Sequence, residues 1–272
     1  MKHPENTFLT AIRAGKKQLG LWVSLSDGYA AEVVAHAGYD WVMLDMEHAP
    51  SDMKSVLGQL QAFSGSDTTA MVRPDWNDAV KVKRLMDLGA PGLLFPMVQT
   101  PDEARAAVAA CRYPRLSSAP LYEPRGIRGD GPVRAARYWG LTQQEYYSKA
   151  DVWPLDPNGE ILVVIQIEDT TGIHNLSDML ENVPGIGAIL IGEGDLGQEL
   201  GFPRQYDHPA LLEAIAEIVS ICKKHDVVVG HAHADTSNMQ RLLDEGFRLM
   251  MTASGHSYAG LERGLELTNR EK

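Results

Sequence analysis

The chain carries Asp45-Met46-Glu47-His48-Ala49-Pro50 directly after the apolar run Trp41 to Leu44. Two carboxylates and an imidazole on one short segment can hold a cation or move a proton. An apolar strand that ends in such a cluster aims polar groups out of a core and into a cleft, where strand ends of α/β proteins carry chemistry. The same residues also read as a solvated loop before a helix that begins near Pro50. What the rest of the chain places beside them decides between the two.

Other apolar runs end in polar groups of the same kind. Arg73 follows Thr69 to Val72, Gln166 and Glu168 follow Ile161 to Ile165, Asp195 follows Ala188 to Ile191, and His231 and His233 follow Val227 to Val229. Trp22, near the end of the first apolar run, supplies an aromatic wall. Glu168 and Asp195 are the best candidates for metal ligands, because two carboxylates from neighbouring strands, completed by water, suit a hard divalent cation such as Mg²⁺ or Mn²⁺. Taken singly, Glu168 also reads as an acid at a helix start beside Asp169, and Asp195 as a loop cap. Arg73 at a strand end requires an anionic partner, either a ligand or a local acid.

Gly192-Glu193-Gly194-Asp195-Leu196-Gly197 matches G-x-G-x-x-G, the dinucleotide fingerprint. Its lateness in the chain, its two acids and a loop expected through Pro203 argue against that use. The glycines, Gly194 among them, are read instead as freeing backbone amides for a small carboxylate beside the metal. His231-Ala232-His233 resembles the imidazole pairs of metal hydrolases, since strand alternation puts both rings on one side. A zinc hydrolase gathers three or more N or S ligands, so a substrate-binding or supporting role fits the pair better. Cys111 is mid-helix and no G-x-S-x-G occurs, so no nucleophile stands out.

Positioning these groups requires strands and helices in alternation. Strands are expected at about Leu19 to Ser24, Trp41 to Asp45, Thr69 to Arg73, Gly92 to Pro96, Ile161 to Ile167, Ala188 to Ile191, Val227 to His231 and Leu249 to Thr252. Their near-continuous apolar character suits a parallel sheet buried on both faces. Helical spacing falls between them, as in Ser51 to Phe63, Val80 to Leu88, Pro101 to Cys111, Pro209 to Lys224 and Ser237 to Glu245. Thr100 followed by Pro101-Asp102-Glu103 marks a helix start. Eight βα units predict a (β/α)₈ TIM barrel as one domain over 1–272, a doubly wound open sheet being the alternative. The stretch from about 113 to 159, rich in Arg, Pro, Gly and Tyr, interrupts the rhythm. Only Thr142 to Lys149 looks helical within it, and its place after the fourth strand predicts a rim insertion beside the site.

Composition excludes other classes. With 272 residues, 44% hydrophobic and 22% charged, the chain is an ordinary globular one. A net charge of −11 disfavours nucleic acid and anionic membrane partners. The two cysteines, Cys111 and Cys222, form no disulfide or metal-ligand pattern, and no leader or spanning segment is read, so a cytoplasmic location is expected.

Gly20-Leu21-Trp22, Asp45 to Pro50, Val72-Arg73-Pro74, Pro96-Met97-Val98-Gln99, Gly126-Ile127-Arg128-Gly129, Gln166-Ile167-Glu168 and Gly194-Asp195-Leu196, in this order, resemble the HpcH/HpaI family of class II pyruvate aldolases. The resemblance implies a (β/α)₈ barrel, a homo-oligomer (a hexamer that exchanges its C-terminal helix), and reversible aldol cleavage of a 4-hydroxy-2-oxo acid to pyruvate and an aldehyde. It implies a divalent cation, Mg²⁺ or Mn²⁺ first and Co²⁺ or Zn²⁺ as alternatives, with no organic cofactor. Glu168 and Asp195 would ligate it, with Asp45 and Glu47 holding its waters. His48 would be the acid/base, paired with Asp87, and Arg73 would bind the keto or enolate oxygen. Trp22, Gln166, Gly194, Asp195 and Arg128 would contact substrate.

Several residues depart from the family pattern. Glu193 adds a negative charge expected near the substrate carboxylate, and residues 115–125 are extra. Arg134, Arg137, His231, His233 and His256 are the candidates for the aldehyde side. A lyase acting on a non-pyruvyl substrate, or a hydrolase using the histidines, are the alternatives these departures leave.

Overall fold

Apolar runs too short for helices, bounded by glycine, proline and acids, become parallel strands in the computed structural model, which describes residues 6–252. The chain opens with α1 (Thr7–Arg13), β1 (Gln18–Val23), α2 (Gly28–Ala35), β2 (Trp41–Asp45) and α3 (Met53–Phe63). It continues with β3 (Thr69–Arg73), α4 (Ala79–Asp87), β4 (Gly92–Phe95), α5 (Pro101–Cys111), α6 (Val133–Tyr138), α7 (Gln143–Lys149) and β5 (Val152–Trp153). Then come β6 (Ile161–Ile167), α8 (Thr170–Asn182), β7 (Ala188–Ile191), α9 (Glu193–Glu199) and α10 (Pro209–Lys224). The described part ends with β8 (Val228–His231), α11 (Met239–Glu245) and β9 (Leu249–Thr252). All strands but β5 follow one another around a ring, and pairing of β4 with β6 closes it into an eight-stranded TIM barrel. Closure removes the free edges that an open sheet would expose.

Side chains alternate across the ring with period two. Trp41 and Met43 of β2, Met71 of β3, Leu94 of β4, and Leu162 and Val164 of β6 fill the barrel interior with Phe8, Leu9 and Ile12 of α1. Phe8 stacks on Trp41 with ring centroids 4.7 Å apart, so α1 plugs the mouth at the strands' N-terminal ends. Gly20 makes room for this packing, because a Cβ there would overlap the Trp41 indole. The alternate residues, such as Val42, Leu44, Val72 and Val163, pack outward against the helices. Full burial of each such side chain is worth roughly 1.5–3 kcal/mol.

Helix starts follow the sequence signals. Thr100 and Glu103 form a reciprocal capping box at α5, and Thr142 and Glu145 form another at α7. The stretch 113–159 lies elsewhere than expected. The crossover after β4 is α5 itself, and a crossover helix returns the chain to the N-terminal mouth, so this excursion sits at the opposite end from the catalytic rim. It contains α6 and β5, neither foreseen, as well as the foreseen α7. Arg112, fully buried, anchors it by a fork onto Asp151 at 2.6 and 2.9 Å and by donating to the carbonyls of Leu121 and Pro124 at 2.6 Å each. The expected C-terminal helix exchange and His256 lie outside the described residues. Among those described, Cys111 and Cys222 are buried free thiols, and no helix is long and apolar enough to cross a membrane.

Candidate active site

Strand alternation that buries Trp41, Met43 and Met71 inside the barrel carries Asp45 and Arg73 inward one step further, at the C-terminal mouth. Asp45 and Arg73 are directly paired in register. Arg73 donates from Nε to Asp45 Oδ1 at 2.9 Å and from Nη2 to Oδ2 at 2.8 Å. Its Nη1 lies 2.9 Å from Glu47 Oε2 and 3.4 Å from Gln166 Oε1. The Trp22 ring covers the guanidinium at 4.2 Å. A buried planar cation is thus held on its edges by carboxylates and on its face by an indole.

Gln166 is the next inward residue on β6 after Val164, and Glu168 follows it in phase. Gln166 Nε2 donates to Glu168 Oε2, and the backbone N–H of Met97 donates to Oε1 at 2.6 Å. Met97 adopts φ 53°, a left-handed conformation unfavourable for a residue with a Cβ, at the turn that aims this N–H at the carboxylate. Burial pushes the Glu168 carboxyl up to about 7, with Glu47 and Asp195 adding to the rise against the two hydrogen bonds. Burial also raises Glu47, opposed by Arg73 and His48. Gly192 leaves the space Glu168 occupies, since a Cβ there would meet Oε2 at 2.7 Å.

A cavity of about 720 Å³ opens over this cluster. Trp22, Asp45, His48, Arg73, Gln166, Gly194, Asp195 and His233 all line it, so the barrel gathers most of the residues singled out from the sequence. The His48 side chain is 61% exposed and its Nε2 lies 3.8 Å from Glu47 Oε2. Asp45 and Glu47, expected to hold waters, are both engaged by Arg73. Ser24, Gln198, Arg204 and Tyr206 also line the cavity and were not anticipated. Ser24 follows Trp22 in strand phase, a signal that was readable. Arg204 and Tyr206 belong to an irregular loop after α9, where no periodicity points inward.

Other expectations are corrected. A helix does follow the glycine-rich run: α9 begins at Glu193, with Asp195 in its first turn. Glu193 does not face the substrate region as a free charge. Its carboxylate is 1% exposed and turned to the histidines, accepting from His233 Nδ1 and lying 3.7 Å from His231 Nδ1. His231 Nδ1 accepts the backbone N–H of His233 at 3.2 Å, while its ring packs edge-on against Phe247. The two imidazoles therefore converge on Glu193 and do not form a metal-hydrolase ligand pair.

Asp87 ends α4 and so lies at the N-terminal mouth, 3.4 Å from Arg128 Nη2, across the barrel from His48. Arg128 is buried there between Tyr113 and Tyr146, not in the cavity. Arg134 donates to the Leu88 carbonyl and stacks on Tyr138 at 4.7 Å, and Arg137 is exposed on the same short helix. Both belong to α6, which the excursion carries away from the strands' C-terminal mouth, so neither lines this chain's own cavity.

A family model described as HpcH/HpaI aldolase/citrate lyase matches residues 18–258. A 4-hydroxy-2-oxo-heptane-1,7-dioate aldolase from Salmonella arizonae is 38% identical over 262 residues, covering 96% of this chain and 92% of the relative. The protein of the same name from Salmonella typhimurium is 39% identical over 263 residues, with the same coverage of 96% and 92%. Among solved structures, an HpcH/HpaI aldolase/citrate lyase family protein from Burkholderia cenocepacia J2315 is similar with a TM-score of 0.83 at 32% identity, over 97% of this chain and 98% of the other. An HpcH/HpaI aldolase from Desulfitobacterium hafniense DCB-2 shares the fold with a TM-score of 0.80 at 24% identity, over 97% of each chain.

Proposed function

Because the chain belongs to the HpcH/HpaI aldolase/citrate lyase family, we propose that this lyase reversibly cleaves a 4-hydroxy-2-oxo acid to pyruvate and an aldehyde. The observation that carries the reading is the buried Arg73 at the floor of an open cavity, beside the carboxylates of Glu47, Glu168 and Asp195.

The donor set fits a hard divalent cation. Glu168 and Asp195 offer only carboxylate oxygens, which suit Mg²⁺ or Mn²⁺ over softer ions. Burial first, and the neighbouring Glu47 and Asp195 after it, raise the Glu168 carboxyl, and a cation would favour its charged form. Among the described residues, no group of three or more His, Cys, Asp or Glu side chains suffices to hold a metal, so Glu168 and Asp195 would share it with water or substrate oxygens. When bound, the cation polarises the 2-oxo group of the substrate.

Cleavage of the C3–C4 bond sends its electron pair toward the C2 oxygen, leaving an enolate, while the C4 hydroxyl gives up its proton. Arg73 places a fixed positive charge where that oxygen becomes anionic, which favours the transition state over the ground state. Asp45, Glu47 and Trp22 hold the guanidinium in place beforehand, so little reorganisation accompanies the step. His48, exposed in the cavity, takes the hydroxyl proton, and proton transfer of this kind contributes typically ~10²–10⁴-fold. Asp87 can orient His48 only from a neighbouring copy, because opposite mouths of one barrel separate them. A homo-oligomer such as the expected hexamer would provide that copy.

The test is methyl-proton exchange of pyruvate in D₂O, followed by NMR with Mg²⁺ or Mn²⁺ supplied, alongside release of pyruvate from a panel of 4-hydroxy-2-oxo acids. Exchange and pyruvate release are expected, and both abolished by chelation. A protein that does neither is not a pyruvate aldolase.

A further inference from the structure

We infer that His233, oriented by the buried Glu193, is a second proton carrier of the site, giving a proton to C3 of the enolate to complete pyruvate and removing it in the reverse direction. The inference rests on the aldolase reading above and provides a carrier for the proton at C3.

Cleavage moves two protons at different atoms. The C4 hydroxyl gives one to His48, and the enolate left behind must gain one at C3. In that second step the electron pair of the C2–C3 double bond forms the new C3–H bond, the Nε2–H bond of His233 breaks, and the C2 oxo group is restored. His48 then returns its proton to solvent and His233 regains one, so the sum is substrate to pyruvate and aldehyde. His48, 61% exposed with Glu47 Oε2 at 3.8 Å, is open to that solvent. Protonation at carbon calls instead for an acid held close to the reacting atom.

His233 is held in that way. Glu193, almost wholly buried, accepts from its Nδ1, which leaves Nε2 for the cavity that His233 lines. A carboxylate behind one imidazole nitrogen fixes the ring and favours its charged form, with the other nitrogen free to exchange a proton. The backbone N–H of His233 donates to His231 Nδ1 at 3.2 Å, and its carbonyl accepts from Asn238 Nδ2 at 2.9 Å. One residue earlier, the carbonyl of Ala232 accepts from Trp22 Nε1 at 2.9 Å, and the same indole covers the Arg73 guanidinium at 4.2 Å. The segment carrying His233 is thus fastened to the ring over Arg73, the group assigned to the C2 oxygen, and C3 is bonded to C2. The contact with Glu193 outweighs burial and holds His233 above the usual imidazole range, with Arg204 and Arg73 opposing. His48 follows β2 and His233 follows β8, with β9 and β1 between them in the ring, so the two imidazoles enter the cavity from separate sides. Glu193 acts as a positioning residue, through His233.

The experiment follows methyl-proton exchange of pyruvate in D₂O with Mg²⁺ supplied and no aldehyde present, so a residue that touches only the aldehyde half leaves the rate unchanged. His233→Ala is expected to lower the maximal exchange rate by about 10²–10⁴-fold with the KM for pyruvate little changed, and added imidazole to restore part of it. His233→Gln, which fills the space without a transferable proton, should be equally slow, and Glu193→Gln should slow exchange by a smaller factor. His48→Ala should exchange at close to the wild-type rate. Both His233 variants should bind Mn²⁺ in calorimetric titration as the wild type does. Exchange by His233→Ala at the wild-type rate, a loss confined to KM, or loss of Mn²⁺ affinity would overturn the inference and leave the aldolase reading standing. Exchange lost in His48→Ala alone would assign both protons to His48, with the same consequence. If the wild type fails to exchange at all, the aldolase reading falls and this inference falls with it.

Discussion

Asp45 and Arg73 stand directly opposite each other on β2 and β3, and their side chains meet in a two-pronged ion pair at 2.9 and 2.8 Å. Both are buried, so the pair is a fixed element of the site floor and not a surface contact. Its geometry leaves Nη1 to Glu47 and Gln166, which ties β2, β3 and β6 to one guanidinium.

Arg73→Lys should therefore lower kcat by about 10²–10³-fold, as loss of a donor aimed at developing charge does, because an ammonium cannot reproduce the fork. Asp45→Ala should lower stability by about 3 kcal/mol, near the lower end for breaking a buried pair, since Glu47 still partners the guanidinium. Steady-state kinetics and urea unfolding read the two effects. Unchanged turnover in Arg73→Lys would remove Arg73 from the role assigned to it.

His48→Ala should lose about 10²–10⁴-fold in turnover while cation affinity is unchanged, because the imidazole moves a proton and the carboxylates hold the ion. Calorimetric titration with Mn²⁺ beside turnover measurements separates the two. A collapse of Mn²⁺ binding would make His48 a ligand instead.

The Glu168 carboxyl, raised from 4.5 to about 7, gives the cation-free protein a pH-dependent stability. Between these values the folded chain binds more protons at Glu168 than the unfolded chain does, so this contribution is complete below 4.5 and disappears as pH rises through about 7. The Tm in chelator should fall across that window. Glu47 shifts in the same direction, so the Glu168 share is the part of the slope that Glu168→Gln removes. Equal slopes in the two proteins would contradict the assignment.

Much of the architecture was legible because it rests on local periodicity. Apolar runs at Trp41 to Leu44 and Ile161 to Ile165 mark strands buried on both faces, and Thr100 with Glu103 marks a helix start through hydrogen bonds that span three residues. The same periodicity places Asp45, Arg73, Gln166 and Glu168 at strand ends. Whether 113–159 lies at one mouth or the other depends on counting a helix before it, and the arginines of α6 move with that count. Glu193 could not be paired with His233 in advance, because the pairing joins positions forty residues apart through a loop with no regular spacing.

Residue types and their spacing thus determined the barrel, the oxygen-rich donor set and the inward-facing row at the strand ends, since period two and short-range capping operate within a few residues of chain. Only the closed tertiary structure decided which charges neutralise one another: Asp45 with Arg73, Glu193 with His233, and Asp87 with Arg128 at the far mouth. Coulombic pairing depends on distance in space and on exclusion of water, and ring closure alone sets both.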